Sequence, residues 1–326
     1  MRALVTGSSG HLGDAMVRVV RERGGEAVGL DLLAGAHTDV VADIVDRAAV
    51  RRCIAERGPF DTVLHAATLH KPHVALCSRQ AFVDVNISGT LNLLEEASAA
   101  AIERFIFTST TSAFGRALAP HPDAPAAWID EDVIGPSKNI YGASKTAAEE
   151  LCQLFSHTHA LPCLVLRTSR FFPEEDDSAA LREAFADQAN LKVNELLYRR
   201  VDIADAVDAH LLAAERAPTI GFARYIISAT TPFSRDDVAA LRADAPAVVA
   251  RRFPSYAALY AQLGWRMHQS FDRVYDNTRA REQLGWRPRV DFGSALAALA
   301  RGEDWQSPLA RAVGAKGYRP YEPNVR

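Results

Sequence analysis

Cysteine is scarce: Cys53, Cys77, Cys152 and Cys163 are the only four in 326 residues, and no CxxC pair occurs among them. Such usage argues against a disulfide framework and suits a reducing compartment, with the four as small buried hydrophobes. An excess of one charge is also missing. Lysine and arginine total 37 against 40 acids, for a formal net charge of −3, and the basic residues are scattered rather than clustered. This leaves no electrostatic footprint for nucleic acid or an anionic membrane. No apolar run reaches the roughly 18 residues of a membrane span, and no charged stretch leads into an apolar secretory core. The cytoplasm is the expected location. Internal repeats and low-complexity tracts are absent too. What is present is 48% hydrophobic content, enough to bury a large core in one or two domains.

The apolar residues alternate in kind along the first half. MRALVTG reads as a buried strand, Asp14 to Arg23 as a helix ended by Gly24 and Gly25, and EAVGLD as a second strand. Ala48 to Arg57 is helical, TVLHAAT a strand, Val85 to Ala101 helical and RFIFTST a strand; Tyr141 to His157 and PCLVLRTS repeat the pattern. Strands alternating with helices predict an α/β fold with a doubly wound parallel sheet. Residues 1–169 are therefore read as one domain built on that sheet. Residues 170–326 are read as a smaller substrate-binding region interleaved with it, opening on the acidic, irregular FFPEEDDSAALREAFADQAN and ending in the polar tail KGYRPYEPNVR.

TGSSGHLG follows the first strand and opens the first helix. In that context Gly7 permits a tight turn, Gly10 lets backbone approach a pyrophosphate and Gly13 allows close packing, with the helix N-terminus drawing the phosphate charge. Asp31 ends the second strand 24 residues after Gly7, where an acid accepts hydrogen bonds from ribose hydroxyls and repels a 2′-phosphate. Leu32 and Leu33 follow rather than an arginine, so NAD is expected rather than NADP.

YGASK puts Tyr141 and Lys145 on one face of a helix. A phenol with a pKa of about 10 is a poor base at neutral pH, and a fixed ammonium beside it supplies the correction. FTSTTSAFG, earlier in the chain, carries hydroxyls to the carboxyl edge of the sheet, where open α/β sheets bind ligands.

With these features the chain resembles the extended short-chain dehydrogenase/reductase family, also called the NAD-dependent epimerase/dehydratase family, over roughly residues 1 to 293. TGSSGHLG, ADI, HAA, NISGT, FTSTTSAFG, YGASK, VDIADAV and AREQLGWRPR fall in the family's order. The resemblance implies a Rossmann-type fold and NAD contacts from Gly7, Ser9, Gly10, His11, Leu12, Gly13, Asp31, Asp43, Ile44, Ala66, Ala67, Asn86, Tyr141 and Lys145. It further implies Tyr141 as general base or acid, Lys145 as ribose ligand and depressor of the tyrosine pKa, and Thr110 as the catalytic hydroxyl, with Ser109 as the alternative. Homodimerisation through the helices of Asn86 and Tyr141 is implied as well.

The departures narrow the expected reaction. Thr111 and Ser112 stand where the family's dehydratases carry acids, which disfavours dehydration. RTSRFFPEEDD puts Arg170 near the position of the family's asparagine, where it can grip a phosphate or carboxylate directly. His70, Arg200 (or its neighbour Arg199) and Arg273 are further candidate substrate contacts. Proline inside HKPH argues against a metal pair at His70 and His73. Residues 174–177, EEDD, read more naturally as a solvated run than as a cation site. The expected function is reversible oxidation of a secondary alcohol on a sugar or sugar nucleotide, as an epimerase through a transient ketone. A dehydrogenase releasing the ketone or lactone is the alternative, and a non-catalytic NAD sensor a third.

Overall fold

A computed structural model describes residues 1–322; the final four residues of the tail, 323–326, lie outside the described residues. The chain alternates β1 (Arg2–Thr6), α1 (His11–Glu22), β2 (Glu26–Asp31), β3 (Val40–Val41), α2 (Arg47–Arg57), β4 (Thr62–His65), α3 (Arg79–Phe82), α4 (Gly89–Ala99) and β5 (Arg104–Thr110). After β6 (Ala127–Ile129) come α5 (Ile140–His159), β7 (Cys163–Thr168), α6 (Ala179–Ala184), α7 (Gln188–Glu195), α8 (Ile203–Ile220) and β8 (Phe222–Ile227). Seven strands form one parallel sheet in the order β3-β2-β1-β4-β5-β7-β8. The fold is thus the α/β, Rossmann-type architecture that the alternation implies.

Every residue of β4 and β7 is buried, as a sheet covered on both faces requires. One face packs Met16 of α1 and Val207 of α8, together with Trp286, against the sheet. The other receives Leu93 of α4 and Phe155 of α5. A separate core, with Leu196, Val248, Tyr260, Phe271 and Phe292, holds the C-terminal region together. This region is tied to the first half by a second parallel pair, β6 with β9 (Arg273–Tyr275).

The helix expected over Val85 to Ala101 is built differently. Its first part is a widened π turn, Val83–Ser88, between α3 and α4. That turn directs Asn86 at the loop after β4: its amide donates to Leu69 O at 2.9 Å and to Ser144 Oγ at 2.9 Å, while its carbonyl accepts from Leu69 N at 2.8 Å. The acidic segment is likewise more ordered than its composition suggests, with Ser178 and Asp187 capping α6 and α7.

Strand order reverses direction between β1 and β4, leaving a crevice at the carboxyl ends of the strands. The site forms there.

Candidate active site

A cavity of about 730 Å³ runs along this edge from Asp31 and Asp43 to Arg170 and Phe172. At its centre lies the glycine loop. Gly7 has φ +76°, and a β-carbon on it would stand 2.7 Å from Ala67 N; one on Gly13 would stand 2.0 Å from Gly7 O. Neither position tolerates a side chain, so the β1–α1 turn, the start of α1 and the end of β4 meet as bare backbone. His65 fastens the two strands from below, its ring nitrogens 2.7 Å from Thr6 Oγ1 and 2.9 Å from Thr90 Oγ1. Burial keeps that imidazole neutral, with Lys145 adding to the effect.

Asp31 accepts from Ser9 N at 3.0 Å and Leu33 N at 2.8 Å. Burial raises its pKa, opposed by those amides. Asp43 caps Val45 N at 2.9 Å, and Ile44 beside it is held against Gly89, where a β-carbon would come within 2.7 Å of its side chain. Glycine cradle, helix N-terminus and half-buried acid at the end of β2 together fit a dinucleotide. Gly7, Ser9, Gly10, His11, Leu12, Gly13, Asp31, Asp43, Ile44, Ala66 and Ala67 all line the cavity. Asn86 does not, because its amide is fully engaged with Leu69 and Ser144.

Thr110 ends β5, and its hydroxyl accepts from Ser112 N at 3.1 Å. Tyr141 enters the cavity from the first turn of α5, which Asn139 caps through Gly142 N. Burial pushes the phenol up to about 12, partly offset by a hydrogen bond with Thr110. Ser109, the other candidate hydroxyl, donates at 2.5 Å to Glu149, a fully buried carboxylate that also receives Arg167 at 2.8 Å. That engagement leaves Thr110 as the hydroxyl facing Tyr141.

Lys145 sits one turn after Tyr141 on α5. Its ammonium stands 3.9 Å from the centroid of the Phe107 ring, outside the cavity lining, and burial pushes its pKa down to about 7. The tyrosine pKa is raised rather than depressed, because desolvation of the phenol outweighs its hydrogen bond with Thr110.

The far end is aromatic and ionic. His70 stacks on Phe172 at 5.1 Å and meets Tyr318 at 4.9 Å; burial, chiefly, lowers its pKa to about 3. Arg170 lines the cavity, whereas Arg200 and Arg273 do not. Arg200 is buried against Glu195 and Phe172 O, and Arg273 binds Asp272 and Leu118 O, so neither is directed at the cavity. In the EEDD run Glu175 is exposed, but the other three acids are paired. Glu174 pairs with His11 at 2.8 Å, Asp176 with Arg170 and Arg199 at 3.2 Å, and Asp177 with Lys71 at 2.8 Å, partners drawn from separate parts of the chain.

Sequence reasoning missed the tail as part of the site. Residues 316–322 cross the cavity and contribute to its lining. The backbone amides of Lys316 and Gly317 donate to Glu174 at 2.9 and 3.1 Å, the Lys316 ammonium donates to Asp14 at 2.6 Å, and the Tyr321 phenol donates to Asp43 at 2.6 Å. Its only sequence signal was tyrosine and lysine in a stretch that otherwise reads as loop.

Residues 3–223 match the NAD dependent epimerase/dehydratase family. UDP-glucose 4-epimerase of Streptomyces lividans is 27% identical over 96% of this chain and 98% of its own. The enzyme of the same name from Erwinia amylovora is 28% identical, but this chain spans only about half of it, 47% of its length. Among solved structures, a short-chain dehydrogenase/reductase superfamily protein from Agrobacterium tumefaciens with bound NAD superposes with a TM-score of 0.65. It is 21% identical and covers 96% of this chain and 97% of its own, a likeness of fold.

Proposed function

The chain belongs to the NAD dependent epimerase/dehydratase family, and from that membership we propose that it oxidises and re-reduces a secondary alcohol on a sugar or sugar-nucleotide substrate, acting as an epimerase. The observation that carries this reading is that Tyr141 and Thr110 line the same cavity as the glycine cradle. NAD, when bound, supplies the acceptor and donor for the hydrogen on the reacting carbon. Thr110 holds the substrate oxygen, and Tyr141 takes its proton on oxidation and returns it on reduction. With its pKa near 12 the phenol is protonated at neutral pH, the form that donates to a ketone. For the forward step its proton affinity has to fall, and Lys145, one turn along α5, is the cation available to lower it.

Two features favour epimerisation. Thr111 and Ser112 follow Thr110 without an acid for dehydration. The tail spans the cavity from Glu174 to Asp43, which favours keeping the same cofactor through both half-reactions rather than exchanging it each turnover. UDP-glucose 4-epimerase relatives lend the substrate class its support. We assign NAD contacts to the cavity-lining loop residues, Asp31 and Asp43, and pairing of two copies to the faces of α4 and α5.

The test is to purify the protein without added nucleotide, identify what it releases by mass spectrometry and then supply sugars and sugar nucleotides. Retained NAD and an isomerised product without net NADH support the reading. Stoichiometric NADH from added NAD makes the protein a dehydrogenase instead.

A further inference from the structure

Behind the catalytic pair lies a carboxylate that the proposed chemistry does not use. Glu149 is fully buried on α5, one turn beyond Lys145 and two beyond Tyr141, so all three lie on the helix face turned to the protein interior. Three neighbouring strands each send it a donor. Ser109 Oγ of β5 donates at 2.5 Å, Arg167 of β7 through Nη2 at 2.8 Å and Nε at 3.2 Å, and Arg224 of β8 through Nε at 3.2 Å. Donors alone approach it, as suits an ionised carboxylate, which only accepts. The arginines are held in turn: Arg167 donates to Glu131 O at 3.1 Å and lies 4.8 Å over the Phe114 ring, and Arg224 donates to Glu150 at 2.6 Å and Gln153 at 3.0 Å. Ions buried this deep rarely stabilise a fold more than apolar packing would, so stability alone is a weak reason for the cluster.

Two links connect Glu149 to the chemistry. Ser109 is the chain neighbour of Thr110, so its hydrogen bond ties the end of β5 to the helix that carries Tyr141. The second link is electrostatic. Lys145 is buried against Phe107, and the titratable groups that act on it from its own helix are Cys152 and Glu149, while His65 of β4 senses its charge. Burial holds the Cys152 thiol and the Tyr141 phenol protonated and the His65 imidazole neutral, so none of these carries a charge at pH 7. Glu149 is therefore the acid, among the described residues, that favours the ammonium form of Lys145. Without its charge the Arg167 and Arg224 guanidiniums would remain in the same cluster, both disfavouring an ammonium.

We infer that Glu149 is a positioning residue for the reaction, fixing Thr110 to the helix of Tyr141 through Ser109 and keeping Lys145 cationic. This rests on the reading that Tyr141 and Thr110 act on the substrate alcohol, and it goes beyond it by naming what holds the two in place and what keeps their cation charged.

The test uses NAD-loaded protein with lysine labelled with ¹³C at Cε, followed by NMR against pH, and kcat and KM measured in parallel with UDP-glucose and other sugar nucleotides. Lysine occurs only as Lys71, Lys138, Lys145, Lys192 and Lys316, and Lys145→Met identifies the resonance that matters. Glu149→Gln should keep its NAD and titrate Lys145 lower in pH by about one unit or more, the effect of losing a nearby opposite charge. Its deficit in kcat should widen from pH 6 to pH 9, because a neutral lysine no longer assists Tyr141; a merely structural loss would lower kcat equally across that range. Glu149→Asp, which keeps the charge, should bring the Lys145 titration back toward that of the wild type. Ser109→Ala should lower kcat about tenfold at every pH, with KM and the Lys145 titration unchanged. A Lys145 titration identical in Glu149→Gln and the wild type, or wild-type kcat in Ser109→Ala, overturns the inference; should Glu149→Gln fail to fold, Ser109→Ala decides alone. Turnover that needs Tyr141 but has a pH profile indifferent to Glu149 removes this inference and leaves the reaction standing. A Lys145 titration that shifts in Glu149→Gln, with no turnover of any sugar nucleotide by the wild type, does the converse.

Discussion

Replacing Lys145 by Met should make the nucleotide-free protein more stable while abolishing its activity. The ammonium is fully buried against Phe107, and burial moves its pKa from 10.5 to about 7. At about 1.4 kcal/mol for each decade of proton affinity, holding that group costs the fold on the order of 4 kcal/mol at pH 7. The sign follows from proton counts. Between pH 7 and 10.5 the unfolded chain keeps the lysine proton and the folded chain has shed it, so wild-type stability rises with pH across that window. Methionine has no proton to lose and a similar length. The variant should therefore exceed the wild type by about 3 to 4 kcal/mol at pH 7 and below, with the gap closing toward pH 10. Urea unfolding of both proteins at pH 6, 7, 8 and 9 reads the difference directly, since every other titrating group is common to the two. A variant less stable than the wild type at pH 7, or a gap that does not narrow with pH, would refute the reasoning. The price of a buried cation is the kind of stability cost that active sites carry.

Tyr141→Phe should lower turnover by about 10² to 10⁴ while NAD content, measured by mass spectrometry, stays that of the wild type. Gly13→Ala puts a methyl 2.0 Å from Gly7 O and should abolish NAD retention and lower the melting temperature together. Truncation before Lys316 removes the contacts to Asp14, Glu174 and Asp43 and should speed NAD release roughly tenfold or more, read by exchange with labelled NAD. An unchanged exchange rate would show that the tail does not hold the cofactor.

Much of the fold was legible because parallel strands buried on both faces announce themselves as short apolar runs, as RFIFTST and CLVLRT do. The strands that escaped, β3, β6 and β9, are two or three residues long, too short for any periodicity to register. The glycine loop, Asp31 and Tyr141 with Lys145 could be singled out because backbone approach and proton transfer each demand particular residue types at particular spacing, whereas Thr110 was singled out only through the family resemblance. Arg200 and Arg273 were not, since a guanidinium in sequence carries no sign of whether it meets a ligand or a buried carboxylate. Glu195 and Asp272, which claim those two, are visible as partners only once the chain is folded. The same limit hid the tail: an apparently loose, polar end becomes part of the site through Glu174, Asp14 and Asp43, none of which is near it in sequence.

The central claim is that this cavity carries out a redox cycle on one alcohol with NAD that does not leave. NMR of protein incubated with UDP-glucose and other sugar nucleotides in D₂O, with absorbance followed in parallel, tests it most directly. Inversion at one carbon, no deuterium at that carbon and no NADH accumulating in solution is the predicted result, because the hydrogen removed is the hydrogen returned. Deuterium incorporation at the inverted carbon, or NADH accumulating in step with product, would contradict it.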